Sequence, residues 1–163
     1  MINRQIAPQL KQLAREFPVV TLLGPRQSGK TTLARLTFPK HEYVNLEMPD
    51  VRAAAQADAV GFFRARRGSL ILDEIQRVPD LLSYIQGMVD ERKRKGEFIL
   101  TGSHQPRLSE GISQSLAGRT GILHLLPLSI EELARAGVPL ERDDLVFAGF
   151  MPGVHAEGIS PRN

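Results

Sequence analysis

The apolar run Val19-Val20-Thr21-Leu22-Leu23 leads straight into Gly24-Pro25-Arg26-Gln27-Ser28-Gly29-Lys30-Thr31. Thr32-Leu33-Ala34-Arg35-Leu36 then follows with helical character. The middle octet fits G-x-x-x-x-G-K-[S/T], and a strand before it with a helix after it is the context that gives the pattern meaning. No other segment restricts the fold as much. A strand, a glycine-rich turn and a helix aim successive backbone N–H groups at one spot, and the helix dipole adds positive potential there. Such a spot accepts phosphate, and glycine lets the backbone come close to it. The expected nucleotide ligands are Gly24, Pro25, Arg26, Gln27, Ser28, Gly29, Lys30, Thr31 and Thr32. Lys30 is expected to reach the β- and γ-phosphates, and the Thr31 hydroxyl to ligate Mg²⁺. The plainer alternative is an ordinary strand-to-helix turn in which Lys30 caps a neighbouring group.

The rest of the composition narrows the setting. With 163 residues, 42% hydrophobic and 24% charged, the chain suits one globular domain with a real core. It has no cysteine, which removes disulfides and cysteine metal sites. No apolar run approaches a membrane span, and Met1-Ile2-Asn3-Arg4-Gln5 lacks the apolar core of a signal peptide. The expectation is a cytoplasmic protein without a membrane partner. Net charge is +3, with basic clusters at Arg64-Ala65-Arg66-Arg67 and Arg92-Lys93-Arg94-Lys95. A nucleic-acid surface would gather such clusters on one face. Cations at helix C-termini explain them more simply. His41, His104, His124 and His155 are scattered singly, without metal-ligand spacing.

Hydrophobic periodicity predicts an amphipathic helix over 3–17, from Ile6, Leu10, Leu13 and Phe17. It predicts short strands at 43–46, 70–72, 98–100 and 121–126 besides the first. An alanine-rich helix should open at Pro49-Asp50, with Asp50 as its N-cap. Leu81, Leu82, Ile85, Met88 and Val89 form one helical stripe ended by Gly96. Residues 104–119 read as loop with a helical patch. Ser129-Ile130-Glu131-Glu132 reads as a capping box opening a last helix. Strands alternating with helices give an α/β fold, a three-layer sandwich around a mostly parallel five-stranded sheet. Ligands in such sheets lie at the carboxyl ends of the strands. Gly24–Thr31, Asp73-Glu74 and Thr101–Ser103 all fall at such ends.

The second constellation is Leu70-Ile71-Leu72-Asp73-Glu74. Two acids at the tip of a buried strand are costly unless something cationic sits there, and Mg²⁺ on phosphate oxygens fits. Asp73 is expected to hold the metal and Glu74 to activate a water in line with the γ-phosphate. Alternatively, either acid caps the next turn or pairs with Arg77. A poised base for water suits hydrolysis of a nucleoside triphosphate and hinders a kinase, which must keep water out. Thr101 or Ser103 could contact the attacking water, or Thr101-Gly102-Ser103 is only a tight turn. Arg119 could neutralise transition-state charge, from this subunit or a neighbour, or is a surface arginine.

These residues carry a family resemblance. Leu22 to Leu33, Leu72 to Pro79, Leu100 to Ser103, Ser115 to Arg119 and Leu126 to Ser129 resemble, in that order, the prokaryotic AAA+-type ATPases that carry an N-terminal ATP-binding domain and a C-terminal domain of unknown function. The resemblance implies a P-loop NTPase core with strand order 5-1-4-3-2, and ATP with Mg²⁺ as cofactors. It implies that Asp73-Glu74 is the Walker B pair, that Thr101 to Ser103 holds the first sensor, and that Arg119 is a sensor or finger. Catalytic roles then fall to Glu74, Lys30, Arg119 and Ser103, and metal binding to Thr31 and Asp73. It also implies an ATPase domain over 1–145, with 146–163 the start of a linker to a C-terminal domain that is missing. The expected partners are ATP and a protein partner or second copy. A nucleotide-gated switch with little turnover, associated with DNA, is the rival reading.

Overall fold

The computed structural model describes residues 2–103, 106–138, 145 and 149–156. Five strands form one sheet: β1 (Val19–Gly24), β2 (Glu42–Asn45), β3 (Leu70–Asp73), β4 (Phe98–Ser103) and β5 (Thr120–His124). Their order is β2-β3-β4-β1-β5 and every pairing is parallel. The helices are α1 (Ala7–Glu16), α2 (Lys30–Thr37), α3 (Pro49–Ala57), α4 (Ala59–Arg64), α5 (Leu81–Arg92), α6 (Pro106–Ser115), α7 (Ile130–Arg135) and α8 (Pro152–Ala156). A 3-10 turn spans Ile75–Arg77.

The central strands are apolar on both faces, and their alternation splits the core in two. Val20, Leu22, Ile71 and Ile99 point to one face and pack with Leu10 of α1 and with Leu33 and Ala34 of α2. Val19, Leu23, Leu70, Leu72, Phe98 and Leu100 point to the other and pack with Phe62, Phe63, Leu81, Ile85 and Ile112. Side chains alternate every residue along a strand, so three-residue runs such as Leu70-Ile71-Leu72 feed both layers. This is the expected three-layer sandwich, with a sheet that is parallel throughout.

Several boundaries differ from the sequence reading. The first helix starts at Ala7, not at residue 3, with Pro8 in its first turn, where a missing N–H costs nothing. Asp50 is not a cap. Extended Met48 holds that position, Pro49 opens α3, and Asp50 lies in the first turn. The alanine-rich segment then breaks at Asp58, whose carboxylate accepts the Gly61 N–H at 2.8 Å and starts α4 afresh. The helical patch expected within the loop at 104–119 is a ten-residue helix, Pro106–Ser115. Within 146–163, residues 149–156 are described and carry α8, while 146–148 and 157–163 lie outside the described residues. His104 also lies outside them.

Candidate functional site

β1 carries the chain to the carboxyl rim at Gly24, paired in register with Ser103 of β4. A Cβ on Gly24 would sit 2.2 Å from the Leu125 carbonyl oxygen, so no side chain fits. The loop then passes Gln27 at φ +62° and Gly29 at φ +89°, both left-handed. Two such residues around Ser28 curl the backbone into a concavity of N–H groups. Gly29 precedes α2 and no side chain caps that helix, so its first-turn amides are available to an anion. Ser28 is fully buried and its Oγ has no partner among the described residues.

Lys30 is nearly buried. Its Nζ donates to the carbonyls of Gly24 at 3.1 Å and Pro25 at 2.8 Å. Burial pushes its pKa below the ordinary lysine value, while the charges of Glu74 and Asp73 oppose that fall. A phosphate oxygen is a stronger acceptor than a carbonyl, because charge-assisted bonds exceed neutral ones. The loop therefore has the shape, the donors and the cation that a phosphate requires.

Asp73, at the tip of β3, collects hydroxyl donors from three elements. Thr31 Oγ1 of α2 lies 2.8 and 3.0 Å from its two carboxylate oxygens. Tyr43 of β2 donates to Oδ2 at 2.8 Å. Thr101 of β4 donates to Oδ1. Thr101 Oγ1 also accepts the Glu74 N–H at 3.2 Å. Burial first, then the hydrogen bond to Asp73 and its charge, push the Tyr43 phenol well above its ordinary pKa, so it stays a donor. An all-oxygen pair of hydroxyl and carboxylate beside a phosphate loop suits a hard divalent ion that keeps most of its waters. Among the described residues no group of three or more His, Asp or Glu side chains gathers elsewhere into a metal cage.

Glu74 follows at φ +59°, an unusual conformation for a residue with a Cβ. It ends the strand and starts the 3-10 turn, but its side chain caps nothing. Its carboxylate accepts from Gln76 Nε2. Arg77 pairs with Glu47 at 3.1 Å, not with Asp73 or Glu74. Thr101 is taken up by Asp73, whereas Ser103 Oγ is buried without a partner among the described residues. Arg26, Gln27 and Thr32 are exposed around the loop.

Arg119 is not brought to this rim. It precedes β5, and its carbonyl accepts from the Val19 N–H at the opposite end of β1. Six residues of strand separate it from Gly24, about 20 Å at ~3.3 Å per residue. Its guanidinium holds Asp90 at 2.6 and 2.9 Å.

Two residues to which the sequence reading gave no role at the site lie against it, Tyr43 on Asp73 and Arg4 on the loop. Tyr43 pairs with Ile71 and Asn45 with Asp73, which puts Tyr43 on the Asp73 face two positions back. A phenol ring spans that gap. The strand order was needed to find it. Arg4 reaches the loop from the N-terminal arm. Its guanidinium donates to the Ser28 carbonyl at 2.7 Å, to the Leu126 carbonyl at 2.6 Å and to Glu132 at 3.1 Å. A cleft of about 500 Å³ opens there, between Asn3, Arg4, Gln5 and Pro8 on one side and Glu132 and Arg135 on the other. Nothing local in the sequence marks Arg4.

A parallel sheet in this order, with a glycine loop at the tip of β1 and an acid at the tip of β3, defines the P-loop NTPase fold. A family model described as an AAA domain matches residues 16–134, and the chain belongs to that family of P-loop ATPases, whose domain supports ATP binding. The chain is 33% identical over 151 residues to uncharacterized proteins Rv2008c of Mycobacterium tuberculosis and Mb2031c of Mycobacterium bovis. That overlap covers 92% of this chain and 33% of each relative, so the chain spans about a third of their length. Among solved structures it is similar to the Walker-type ATPase PABY2304 of Pyrococcus abyssi, with a TM-score of 0.62 and 15% identity, over 94% of this chain and 65% of that one. It is also similar to AMPPCP-bound DnaA from Aquifex aeolicus, with a TM-score of 0.60 and 16% identity, over 94% of this chain and 57% of that one. At such identities these likenesses establish the fold alone.

Proposed function

We propose that the chain binds ATP with Mg²⁺ in the cytoplasm and hydrolyses it, driving or gating a protein partner, a second copy or a further domain. The observation that carries this reading is the meeting of Thr31, Asp73 and Thr101 beside a loop that holds Lys30. The loop amides and Lys30 take the β- and γ-phosphates. Thr31 and Asp73 are the residues that would hold Mg²⁺, which supplies charge neutralisation on the phosphate oxygens when bound. Arg4, which lines the cleft, also holds the Ser28 carbonyl of the loop, and this reading seats the nucleoside in that cleft.

Glu74 takes a proton from water as the water oxygen forms its bond to the γ-phosphorus. The bond from phosphorus to the β–γ bridging oxygen breaks, and ADP leaves with that electron pair. Ser103, whose hydroxyl has no partner among the described residues, orients the water or a γ-oxygen. Glu74→Gln tests this directly. It should keep Mg²⁺–ATP affinity within about twofold and lower phosphate release by about a hundredfold or more. Unchanged release would remove Glu74 from the role of base.

One observation favours a second reading, a nucleotide-gated switch with little turnover by itself. Arg119 lies a full strand length from the loop, so any transition-state contact it makes comes from a second copy. Arg119→Ala should then lower turnover only where copies associate, and should leave ATP affinity unchanged. If wild type and Glu74→Gln release phosphate equally slowly while both bind ATP, the switch reading holds.

A further inference from the structure

The two basic clusters of the sequence meet at one place. In a parallel sheet all strands start at the same rim, and here that rim lies opposite the phosphate loop. Lys40 precedes β2, Arg64 to Arg67 precede β3, Arg92 to Lys95 precede β4, and Arg15 and Arg119 lie beside the starts of β1 and β5. The loops are stitched into a row. Glu42 N–H donates to Ser69, Leu70 N–H to Glu97, Gly96 N–H to Phe17 and Val19 N–H to Arg119, at 2.8–3.2 Å. The row therefore has a fixed shape.

Acids at this rim neutralise only part of it. Arg66, Arg92 and Arg119 pair with Glu42, Glu97 and Asp90. Arg15, Arg64 and Arg92 sit in the last turns of α1, α4 and α5, where a cation offsets the helix dipole. That role fades beyond the last turn. It leaves Lys40, Arg67, Lys93, Arg94 and Lys95 in the loops, all exposed and without an ion pair among the described residues. None of the large exposed hydrophobics, such as Leu126, Ile130 and Met48, lies in these loops. A membrane surface would need apolar insertion, and single strands would need exposed rings for stacking. A row of charges with neither fits the regularly spaced phosphates of a duplex. Five strands at ~4.8 Å spacing give a rim of about 19 Å, the rise of five to six base pairs.

We propose that this rim binds the phosphate backbone of double-stranded nucleic acid without reading bases, on the face opposite the nucleotide site. Anisotropy of a labelled duplex titrated with the chain tests it. Three neutralised phosphates predict a loss of about fortyfold in affinity between about 50 and 200 mM salt. Arg67→Gln/Arg94→Gln/Lys95→Gln should lose about tenfold or more and flatten that salt slope, with an unchanged circular dichroism spectrum and thermal midpoint as the check on folding. The single variants Arg94→Gln and Lys95→Gln, each in an exposed loop position, carry the test if the triple variant misfolds. Arg52→Gln, in the first turn of α3 at the other rim, should change nothing. Absence of duplex binding at low salt overturns the proposal. So does an equal loss in Arg52→Gln, equal affinity for polyglutamate, or binding to phosphatidylserine vesicles without binding to duplex. The duplex titration needs no nucleotide, so its outcome is separate from that of the ATPase reading.

Discussion

Asp73 has two oxygens and three hydroxyl donors, and each donor comes from a different strand or helix. Such an arrangement fixes the plane of the carboxylate before any ligand arrives. Partners behind a metal ligand typically change metal affinity by tenfold to a hundredfold when removed. Tyr43→Phe deletes one donor and keeps the ring under the Arg35 guanidinium, 4.7 Å from its centroid. We expect Mg²⁺-dependent ATP affinity to fall about tenfold while affinity for ATP in EDTA is unchanged, as read by titration with a fluorescent analogue. Equal losses with and without Mg²⁺ would show a general structural defect instead. The phosphate loop and the two acids were legible because their chemistry is local: consecutive residues at a strand tip. Tyr43 was not, because its role depends on which strand lies beside β3. Arg119 was legible as a cation near a strand, but its rim could only be settled by the direction of β5.

At the scale of elements, the capping box Ser129–Glu132 does more than start α7. Ser129 Oγ accepts the Glu132 N–H at 3.1 Å, and Glu132 returns a bond to the Ser129 N–H at 2.9 Å. The same carboxylate accepts from the Gln5 N–H at 2.7 Å and from Arg4 at 3.1 Å. Arg4 in turn holds the Ser28 carbonyl. One strap thus joins the N-terminal arm, α7 and the phosphate loop. Burial opposes ionisation of Glu132, yet the Ser129 and Gln5 amides and the Arg4 guanidinium together hold its pKa below the ordinary 4.5. A lowered carboxylate pKa gives stability that is fully present above the ordinary value and is lost as pH falls through the folded one. Glu132→Gln should cost about 2 kcal/mol at neutral pH. The gap from wild type should close as pH drops below 4.5 through the folded value, as followed by urea unfolding at several pH values. A gap independent of pH would mean that the charge contributes nothing. The box was legible because its two residues lie three apart, and the strap was not, because Arg4 and Glu132 are 128 residues apart. Element ends were missed where one side chain decided them: Asp58 splitting α3 from α4, and Pro49 taking the start from Asp50.

At the scale of the molecule, alternation of strands with helices sufficed for a parallel three-layer sandwich, because right-handed crossovers leave few other solutions. Strand order came from resemblance, since apolar runs such as Phe98-Ile99-Leu100 and Leu70-Ile71-Leu72 are interchangeable as patterns. The order places β1, β3 and β4 side by side, so that the loop, Asp73 and Ser103 share one rim. It also places every strand start, with its cations, at the other. The central claim concerns the first rim: loop amides, Lys30, Thr31 and Asp73 together hold a Mg²⁺-bound triphosphate. Calorimetric titration of the folded chain with ATP, with and without Mg²⁺, beside Lys30→Ala, is the most direct measurement. The account predicts saturable one-to-one binding that is stronger with Mg²⁺ and weakened about a hundredfold or more by Lys30→Ala, the loss of a charge-assisted contact of about 3 kcal/mol. No binding by the wild type, or binding equally tight in the variant, would contradict it.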